Sequence, residues 1–262
     1  MRVPTTIALA ALLATAARGN AEPQTRPVTT APVATAPAVE PLPRADVLIL
    51  PLHAHVLSAP GRPDIDCALA DADLARVLGK VNRVWRPAGV QFAVTVRREP
   101  AADVARFDRL WAAAGPGALG AYRSLAPPAT RDLPGVHVYY VHDLPVNGVY
   151  LGTRVCFVKE TAALRPVEGG IDEPVPRVTA HEVGHALGLP HRQARTNLMA
   201  SGTTGTAFNE AEVKAARARA KATEGAMTVP EAERAADAAE KAGDAARVAS
   251  LREALAGAGE PP

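Results

Sequence analysis

The sequence lacks three features that would each indicate a class of partner: a long apolar run, an excess of charge of one sign, and a calcium-binding loop. Its N-terminal apolar run, residues 7–17, is too short to span a bilayer and no other stretch is apolar enough, so no transmembrane helix is predicted. Lys and Arg number 29 and Asp and Glu 27, a formal charge of +2, which argues for neither a nucleic-acid partner nor an anionic membrane surface. The closely spaced Asp64, Asp66, Asp71 and Asp73 lack the spacing of a calcium loop and are predicted to be turn and helix-start residues.

The first 44 residues have the composition of an export signal followed by a linker. Residues 1–21 combine a positive start at Arg2, a short apolar run and small residues suited to cleavage after Ala21, with cleavage after Ala17 as a competing position. An uncleaved N-terminal helix is the less favoured interpretation. Residues 22–44 are rich in Pro, Thr and Ala and are predicted to form an extended tether, because such a run cannot bury a core. Export to a periplasm or to the extracellular space is therefore expected.

Residues 45–223 are predicted to form one domain of the α+β class, with ample length for a single core. Apolar residues at helical spacing predict an amphipathic helix over residues 71–86, which Pro87 and Gly89 end. The stretch between 115 and 134 is rich in Gly and Pro and is predicted to be a loop. The predicted strands cover residues 47–57, 92–96, 136–141 and one or two segments within 149–158; further helices cover 102–114, 176–187 and 208–223, the last capped by Asn209.

The stretch from His181 to His191 reads His-Glu-Val-Gly-His-Ala-Leu-Gly-Leu-Pro-His. In a helix, His181 and His185 lie one turn apart on the same face, so both imidazoles reach one metal ion. Gly188 has no Cβ and adopts a positive φ readily, so it is expected to end the helix and bring His191 round as a third ligand. Three neutral imidazoles suit zinc and leave a fourth position open, so one catalytic zinc ion is predicted.

Glu182 follows the first ligand directly and is predicted to be the general base. Zinc lowers the pKa of a bound water to about 7 and polarises a carbonyl oxygen. Glu182 would take the proton of that water and pass it to the leaving amine, so the predicted reaction is peptide-bond hydrolysis. The five-residue core of this motif also occurs by chance on helices that bind nothing, but the full eleven residues make that interpretation weak.

The stretch 178–200 resembles the zinc-binding consensus of the metzincin metallopeptidases, which carry a methionine in a tight turn beneath the metal. Met199, in the sequence Asn-Leu-Met-Ala, is the candidate for that Met-turn. Its eight-residue distance from His191 is similar to that in matrixins, so a bacterial matrixin-like branch is favoured. Two residues depart from the known branches: Arg192 stands where matrixins have serine, and Ser201 stands where astacins and serralysins have a metal-shell tyrosine.

This resemblance implies a fold and a place for the substrate. It implies a metzincin-like zincin: a twisted mixed sheet with two main helices, the zinc helix, the Met-turn and a small C-terminal helical subdomain. An edge strand would run beside the zinc helix and pair with the substrate, and residues 149–153 are the candidate for it. The loop at 201–205 would form one wall of the pocket for the side chain after the scissile bond. The linker 22–44 contains no cysteine, so the cysteine-switch latency of matrixins has no visible carrier.

Cys67 and Cys156 are the only cysteines, and a disulfide between them is expected, because a pair in an exported chain is more often bridged than free. Zinc ligation by these thiols is not expected, because three histidines already fill the protein's share of the site. Tyr139, Tyr140 and Tyr150 are candidates for stabilising an oxyanion, although tyrosines on strands are mostly packing residues.

His53 and His55 lie two residues apart on a predicted strand and therefore share a face. Together with His137 or His142 they offer ligands for a second metal. The favoured interpretation is that they are ordinary strand histidines, at the surface or partly buried, because no acidic loop with metal-binding spacing lies beside them.

Residues 224–262 have a different, Ala-rich composition and are predicted to form a helical tail. Thr228 and Glu231 fit a capping box with an early proline, and one helix is predicted from there to about Leu255. Because large apolar residues are few, a solvated and partly frayed helix is favoured. The alternative is a helix that binds a partner, which the sequence does not identify.

The sequence thus predicts an exported zinc endopeptidase that acts on a peptide or protein substrate, with Glu182 as general base. Two alternatives stay open. One is a non-catalytic or narrowly specific binding protein on a zincin scaffold; the other is an amidase of cell-wall peptides. The presence of Glu182 argues against the first, and substrate profiling would separate the second from general proteolysis.

Overall fold

The computed structural model describes residues 42–259. Within that range the chain forms six strands: β1 (Leu48–Ser58), β2 (Val90–Pro100), β3 (Val136–Val141), β4 (Gly148–Tyr150), β5 (Val155–Lys159) and β6 (Met227–Thr228). The same range contains seven α-helices: α1 (Asp71–Trp85), α2 (Val104–Ala114), α3 (Pro128–Arg131), α4 (Pro174–Ala186), α5 (Glu210–Lys221), α6 (Val229–Lys241) and α7 (Ala245–Gly259). None of these helices combines the length and apolar character that crossing a bilayer requires. The predicted signal segment and residues 22–41 of the predicted linker lie outside the described residues.

The strands form one mixed sheet in the order β2-β1-β3-β5-β4. β1 is parallel to β2 and β3, and β3 is parallel to β5, whereas the short β4 runs antiparallel to β5 at the sheet edge. β6 pairs antiparallel with the start of β1, ahead of the residues that pair with β3. The predicted α+β class with a twisted mixed sheet is therefore confirmed.

One face of the sheet carries the main core. Strand side chains alternate between the two faces, so Leu50, Leu52 and Ala54 of β1 lie in the same cluster as the apolar stripes of α1 and α4. The indole of Trp85 in α1 donates to the carbonyl of Ala180 in α4 at 3.2 Å. Each fully buried leucine or comparable side chain stabilises the fold by about 1.5–3 kcal/mol, so this cluster holds α4 firmly in place.

The other face of the sheet is covered at one end by α2 and a 3-10 turn at Leu119–Leu125. Residues 115–134 are predicted to be a loop, but they contain two 3-10 turns followed by α3. That prediction was wrong because Tyr122 and Leu125 are buried against the sheet. Their burial stabilises short helical turns that the local Gly and Pro content does not indicate.

The C-terminal segment differs from its prediction in two ways. The capping box at Thr228 and Glu231 is present, but α6 and α7 form a hairpin in place of one helix, because Gly243 adopts a left-handed φ of 73° after α6. The hairpin is also packed, not solvated: it covers the second sheet face beside Ile49 and Ala93. Its buried residues are Val229, Ala232, Ala236, Ala239, Leu251, Ala254 and Ala258. Alanines allow a helix to approach a sheet closely, so the scarcity of large apolar residues did not mean exposure.

The expected disulfide is absent, and both cysteines are free thiols. The Cys67 thiol donates to a carboxylate oxygen of Glu160, and the Cys156 thiol donates to the main-chain carbonyl of Glu182, each at 3.4 Å. The two thiols are thus directed at different acceptors. Burial raises the pKa of Cys67 to about 12 and raises that of Cys156 well above its usual range, which disfavours the thiolate that disulfide formation requires.

Candidate metal centre

α4 carries the first two histidines of the motif and ends in a glycine turn. Gly188 adopts a φ of +84°, and its N–H donates to the carbonyl of His185 at 3.0 Å. The N–H of Leu189 donates to the carbonyl of Gly184 at 2.9 Å. This pair of hydrogen bonds is the Schellman motif, which satisfies the last carbonyls of a helix and reverses the chain. The reversal brings His191 back beside α4.

The three histidines of the motif, His181, His185 and His191, form a triad whose ring nitrogens lie close together. The Nε2 atom of His185 lies 3.2 Å from Nε2 of His181 and 3.1 Å from Nε2 of His191. The ring of His185 stands nearly perpendicular to both others, at 89° to His181 and 81° to His191. Each ring offers one nitrogen, and these three atoms lie close enough together to share one metal ion.

Hydrogen bonds on the far side of two rings assign the tautomers. Nδ1 of His181 donates to the carbonyl of Leu198, and Nδ1 of His185 donates to the carbonyl of Leu189, each at 2.8 Å. The Nε2 atoms therefore carry lone pairs and no proton, so the short contact between them is favourable only around a shared cation. Burial, reinforced by the nearby charge of Arg177, lowers the pKa of His181 to about 3 and keeps that ring neutral. These residues fit a metal ion that accepts imidazole nitrogen.

The side chain of Glu182, a residue of α4, lies against the edge strand β4. Its side chain is buried, and burial raises its pKa to about 8, opposed by the Arg177 charge and by a hydrogen bond from the Tyr150 main chain. A Cβ added at Gly148 of β4 would lie 2.8 Å from Cγ and 2.9 Å from Oε1 of Glu182. Only a glycine at this position allows β4 to approach the carboxylate so closely. A buried carboxylate with a raised pKa beside converging ligands is typical of a functional site.

Sequence reasoning missed Arg177, which joins α4 to the loop after the third histidine. Its guanidinium is buried and donates to the carbonyls of Gly205 at 3.1 Å and Ala200 at 2.5 Å. Nη1 lies 3.1 Å from Nδ1 of His181, although the proton of that nitrogen is directed at Leu198. Arg177 is four residues before His181, so it lies on the ligand face one turn earlier, and that spacing was the available signal.

Met199 lies directly beneath the helix that carries the ligands. It is fully buried, and its sulfur would lie 2.6 Å from a Cβ added at Gly184. Its main-chain N–H donates to the side-chain oxygen of Asn197 at 2.7 Å, and the N–H of Ala200 donates to the Asn197 carbonyl at 3.1 Å. These bonds close a tight turn whose Leu198 carbonyl holds His181.

A cleft of about 240 Å³ opens beside the triad. β4 borders it as the last strand of the sheet, paired on one side only, with β5. The edge strand is shorter than the predicted 149–153, because Thr153 and Arg154 adopt positive φ in a turn after Tyr150. The lining residues are Val146, Asn147, Gly148, Leu164, Arg177, Val178, His181, Glu182, His191, Ser201 and Gly202.

The other histidine group, His53, His55 and His137, lies on the second face of the sheet and is buried. The rings of His53 and His137 stack, with centroids 4.8 Å apart and 16° between planes, so their in-plane lone pairs lie in nearly parallel planes. Instead, His55 contacts His137 at 3.1 Å and Glu99 at 2.6 Å through its two nitrogens. Across residues 42–259, the one group of three histidine, cysteine or acidic side chains with clustered ligand atoms is the motif triad.

The remaining candidates lie away from the triad or beside it without a polar contact. The Tyr140 hydroxyl is buried and bonds the hydroxyl of Thr179 at 3.1 Å, and Tyr139 stacks on a strand histidine. The ring of Tyr150 lies nearest the site, 6.5 Å from that of His185. His142 bonds Glu160. Asp71 and Asp73 lie in the first turn of α1, as the sequence predicts.

Neither a scan against protein-family models nor a search of curated proteins finds a match. Among solved structures, the chain is similar to an archaemetzincin from Methanopyrus kandleri, with 16% identity, a TM-score of 0.36, and coverage of 69% of this chain and 99% of that one. It is also similar to metalloproteinase-II from Bacteroides fragilis, with 11% identity, a TM-score of 0.35, and coverage of 68% and 54%. Likenesses this weak carry no argument about chemistry, which has to come from the residues of this chain.

Proposed function

We propose that this chain is a zinc-dependent endopeptidase. The observation that carries the proposal is the convergence of three Nε2 atoms, 3.1–3.2 Å apart along His181–His185–His191, next to a buried carboxylate. A hydrogen bond between His181 and His185 would need a proton on one of their Nε2 atoms, and in the neutral rings the bonds from Nδ1 leave none there. Three imidazoles and an open side suit zinc in a catalytic site.

A zinc ion held by the three Nε2 atoms would supply Lewis acidity, polarising a carbonyl and acidifying water. The chain's own residues supply the rest of the mechanism. Glu182 would accept a proton from water in the cleft and return it to the leaving amine. The unpaired edge of β4 offers main-chain hydrogen bonds to an extended peptide, which would lie along the cleft as an added strand. Arg177 would keep the opposite wall, around residues 200–205, fixed against α4.

The finer assignments belong to the same proposal. The tight turn at Met199 and the glycine turn at Gly188 support a metzincin-type site, with a matrixin-like branch favoured by the spacing of His191 and Met199. We retain residues 45–223 as the peptidase domain, with the C-terminal hairpin packed on its sheet. Export rests on the composition of residues 1–21, and N-terminal sequencing of protein recovered outside the cytoplasm would test it.

The deciding experiment is a digest of a proteome-derived peptide library by the zinc-loaded full chain and by its Glu182→Gln variant. Glutamine keeps the size of the side chain but cannot accept the proton. We expect the wild type to cleave, and the variant to lose about 10²- to 10⁴-fold in kcat/KM, the usual contribution of a general base, with zinc content unchanged.

Each alternative outcome has a distinct meaning. Full activity in the Glu182→Gln chain would contradict the role of that residue. A wild type that binds zinc but cleaves no peptide in the library would favour the binding-protein alternative. Cleavage confined to cell-wall peptides would favour the amidase.

A further inference from the structure

Besides Glu182, one other glutamate of the described residues is buried: Glu212, in the first turn of α5. It belongs to a capping box: its N–H donates to the Asn209 side chain, and the Asn209 N–H donates back to Glu212 Oε2, each at 2.9 Å. A capping glutamate needs only these contacts. Glu212 is nevertheless completely buried, and it accepts two more hydrogen bonds, from Arg192 Nε to Oε1 at 2.6 Å and from Asn197 Nδ2 to Oε2 at 2.8 Å.

Both additional partners lie in the segment that carries the third ligand and the Met199 turn. Arg192 directly follows the third ligand, His191, and its N–H donates to the Met199 carbonyl at 2.9 Å. Asn197 begins the tight turn, and its side-chain oxygen accepts from the N–H of Met199 at 2.7 Å. One carboxylate therefore joins the loop of the third ligand, the turn beneath the metal and the start of α5.

The third ligand needs such a connection more than the other two. His181 and His185 project from a helix buried in the main core. His191 is exposed, and the residues around it, 190–195, are exposed as well. A loop of this kind holds its geometry through the few contacts that bind it to the body of the protein. The Arg192–Glu212 ion pair is one of these contacts.

The chain provides a natural comparison at Glu231, which occupies the same position in the capping box of α6. Glu231 accepts from the N–H of Thr228 at 2.7 Å, and this contact is exposed to solvent. It touches no part of the metal centre. Capping by itself is thus achieved at the surface, whereas burial of Glu212 carries a desolvation cost that a cap does not require.

We propose that Glu212 is a positioning residue for the metal centre, acting through Arg192 and Asn197 to hold His191 and the Met199 turn in ligating geometry. The inference rests on the zinc function proposed above. It extends that function by assigning zinc affinity to a residue twenty-one positions beyond the last ligand, on a different helix.

The test compares the full-length chain with Glu212→Gln, Arg192→Gln and the control Glu231→Gln. In Glu212→Gln an amide NH₂ replaces one acceptor oxygen, so at least one of the two donors from the ligand loop loses its partner. Zinc affinity is measured by competition with a chromophoric chelator, and ligand geometry by the visible spectrum of the cobalt-substituted protein. We expect Glu212→Gln to weaken zinc binding about 10- to 100-fold, as is usual for outer-shell partners, and to alter the cobalt spectrum.

The remaining variants separate positioning from simple loss of stability. Arg192→Gln, at a partly exposed side chain, should weaken zinc in the same direction, with little change in the urea stability of the metal-free protein. Glu231→Gln should lose cap stability and leave zinc affinity unchanged. Wild-type affinity in Glu212→Gln, or an equal loss of affinity in Glu231→Gln, would overturn the proposal. If Glu212→Gln does not fold, wild-type affinity in Arg192→Gln overturns it.

Failure of the peptidase proposal gives a different result. A wild type that binds zinc without cleaving peptides would contradict the proposed function, and the comparison of zinc affinities would still test the role of Glu212. A wild type that binds no zinc would overturn both.

Discussion

Replacing Gly205 by alanine tests how tightly the wall of the cleft is fixed to the turn beneath the ligands. A Cβ at this position would lie 2.4 Å from both the carbonyl carbon and the oxygen of Thr196, and 2.6 Å from the oxygen of Arg195. Ordinary contacts between heavy atoms lie at about 3.5–4.0 Å, so the methyl group would be about 1 Å too close. All three atoms belong to the backbone, so no side-chain rotation relieves the overlap.

The resulting shift would reach the metal centre. The carbonyl of Gly205 accepts from Nε of Arg177, whose other donors hold the Asn197 and Ala200 carbonyls of the tight turn. Forced overpacking usually costs about 1–3 kcal/mol, and a clash with backbone belongs at the upper end. For a domain of this size about 3 kcal/mol lowers Tm by roughly 6–12 °C.

The assay is thermal unfolding of the metal-free and zinc-loaded chains, with Gly120→Ala as the matched control. A Cβ at Gly120 meets nothing within 4 Å, and the residue does not have a positive φ, so that variant should keep the wild-type Tm. We expect Gly205→Ala to unfold several degrees lower and to bind zinc more weakly. A Gly205→Ala protein as stable as Gly120→Ala would refute the close approach of residue 205 to the 195–196 backbone.

Two further substitutions test other parts of the structure. Gly148→Ala would place a methyl group 2.6 Å from Val178 and 2.8 Å from Glu182. A misplacement of about 1 Å at a catalytic group can lower the rate about 10²-fold. We therefore expect kcat/KM to fall about 10²-fold while zinc affinity stays unchanged. His137→Asn tests the buried strand histidines. Burial lowers the pKa of His137 to about 4, so as the pH falls the unfolded chain binds a proton at this residue before the folded chain does. The free energy of unfolding should therefore fall as the pH drops from about 6.5 to about 4. That histidine should contribute up to about 1.36 kcal/mol per pH unit in this window, and urea unfolding should show a shallower pH slope in the variant; an unchanged slope would contradict the assignment.

The parts of the protein that the sequence predicted well are those governed by contacts within a few residues. α1 was predicted from the spacing of its apolar side chains, and β3 from a short apolar run with the same bounds as in the structure. The predicted cap at Asn209 and the predicted capping box at Thr228 follow from side chains that reach a backbone group three residues away. The eleven-residue motif places two histidines on one helical face, and the third returns through a single glycine turn.

Contacts between distant segments could not be read in this way. The free thiols of Cys67 and Cys156 depend on which acceptor each strand or loop presents to them. The C-terminal hairpin packs on a part of the second sheet face that no other helix of the described range covers, and the whole fold determines which part that is. From the sequence alone, its alanine-rich helices are predicted to be solvated. A small side chain becomes a core residue only when a complementary surface packs against it.

The sequence alone therefore determined the helix, the turn and the ligand set of the candidate metal centre, because helical periodicity and glycine backbone freedom act over one or two turns of chain. Only the tertiary structure decided what surrounds that set. It placed the edge strand against Glu182, directed Arg177 to the carbonyls of the far wall, and buried Glu212 beneath the loop of the third ligand. These three arrangements join segments between 20 and 34 residues apart, and the order of strands and the packing of helices, not local preference, determine which segments meet.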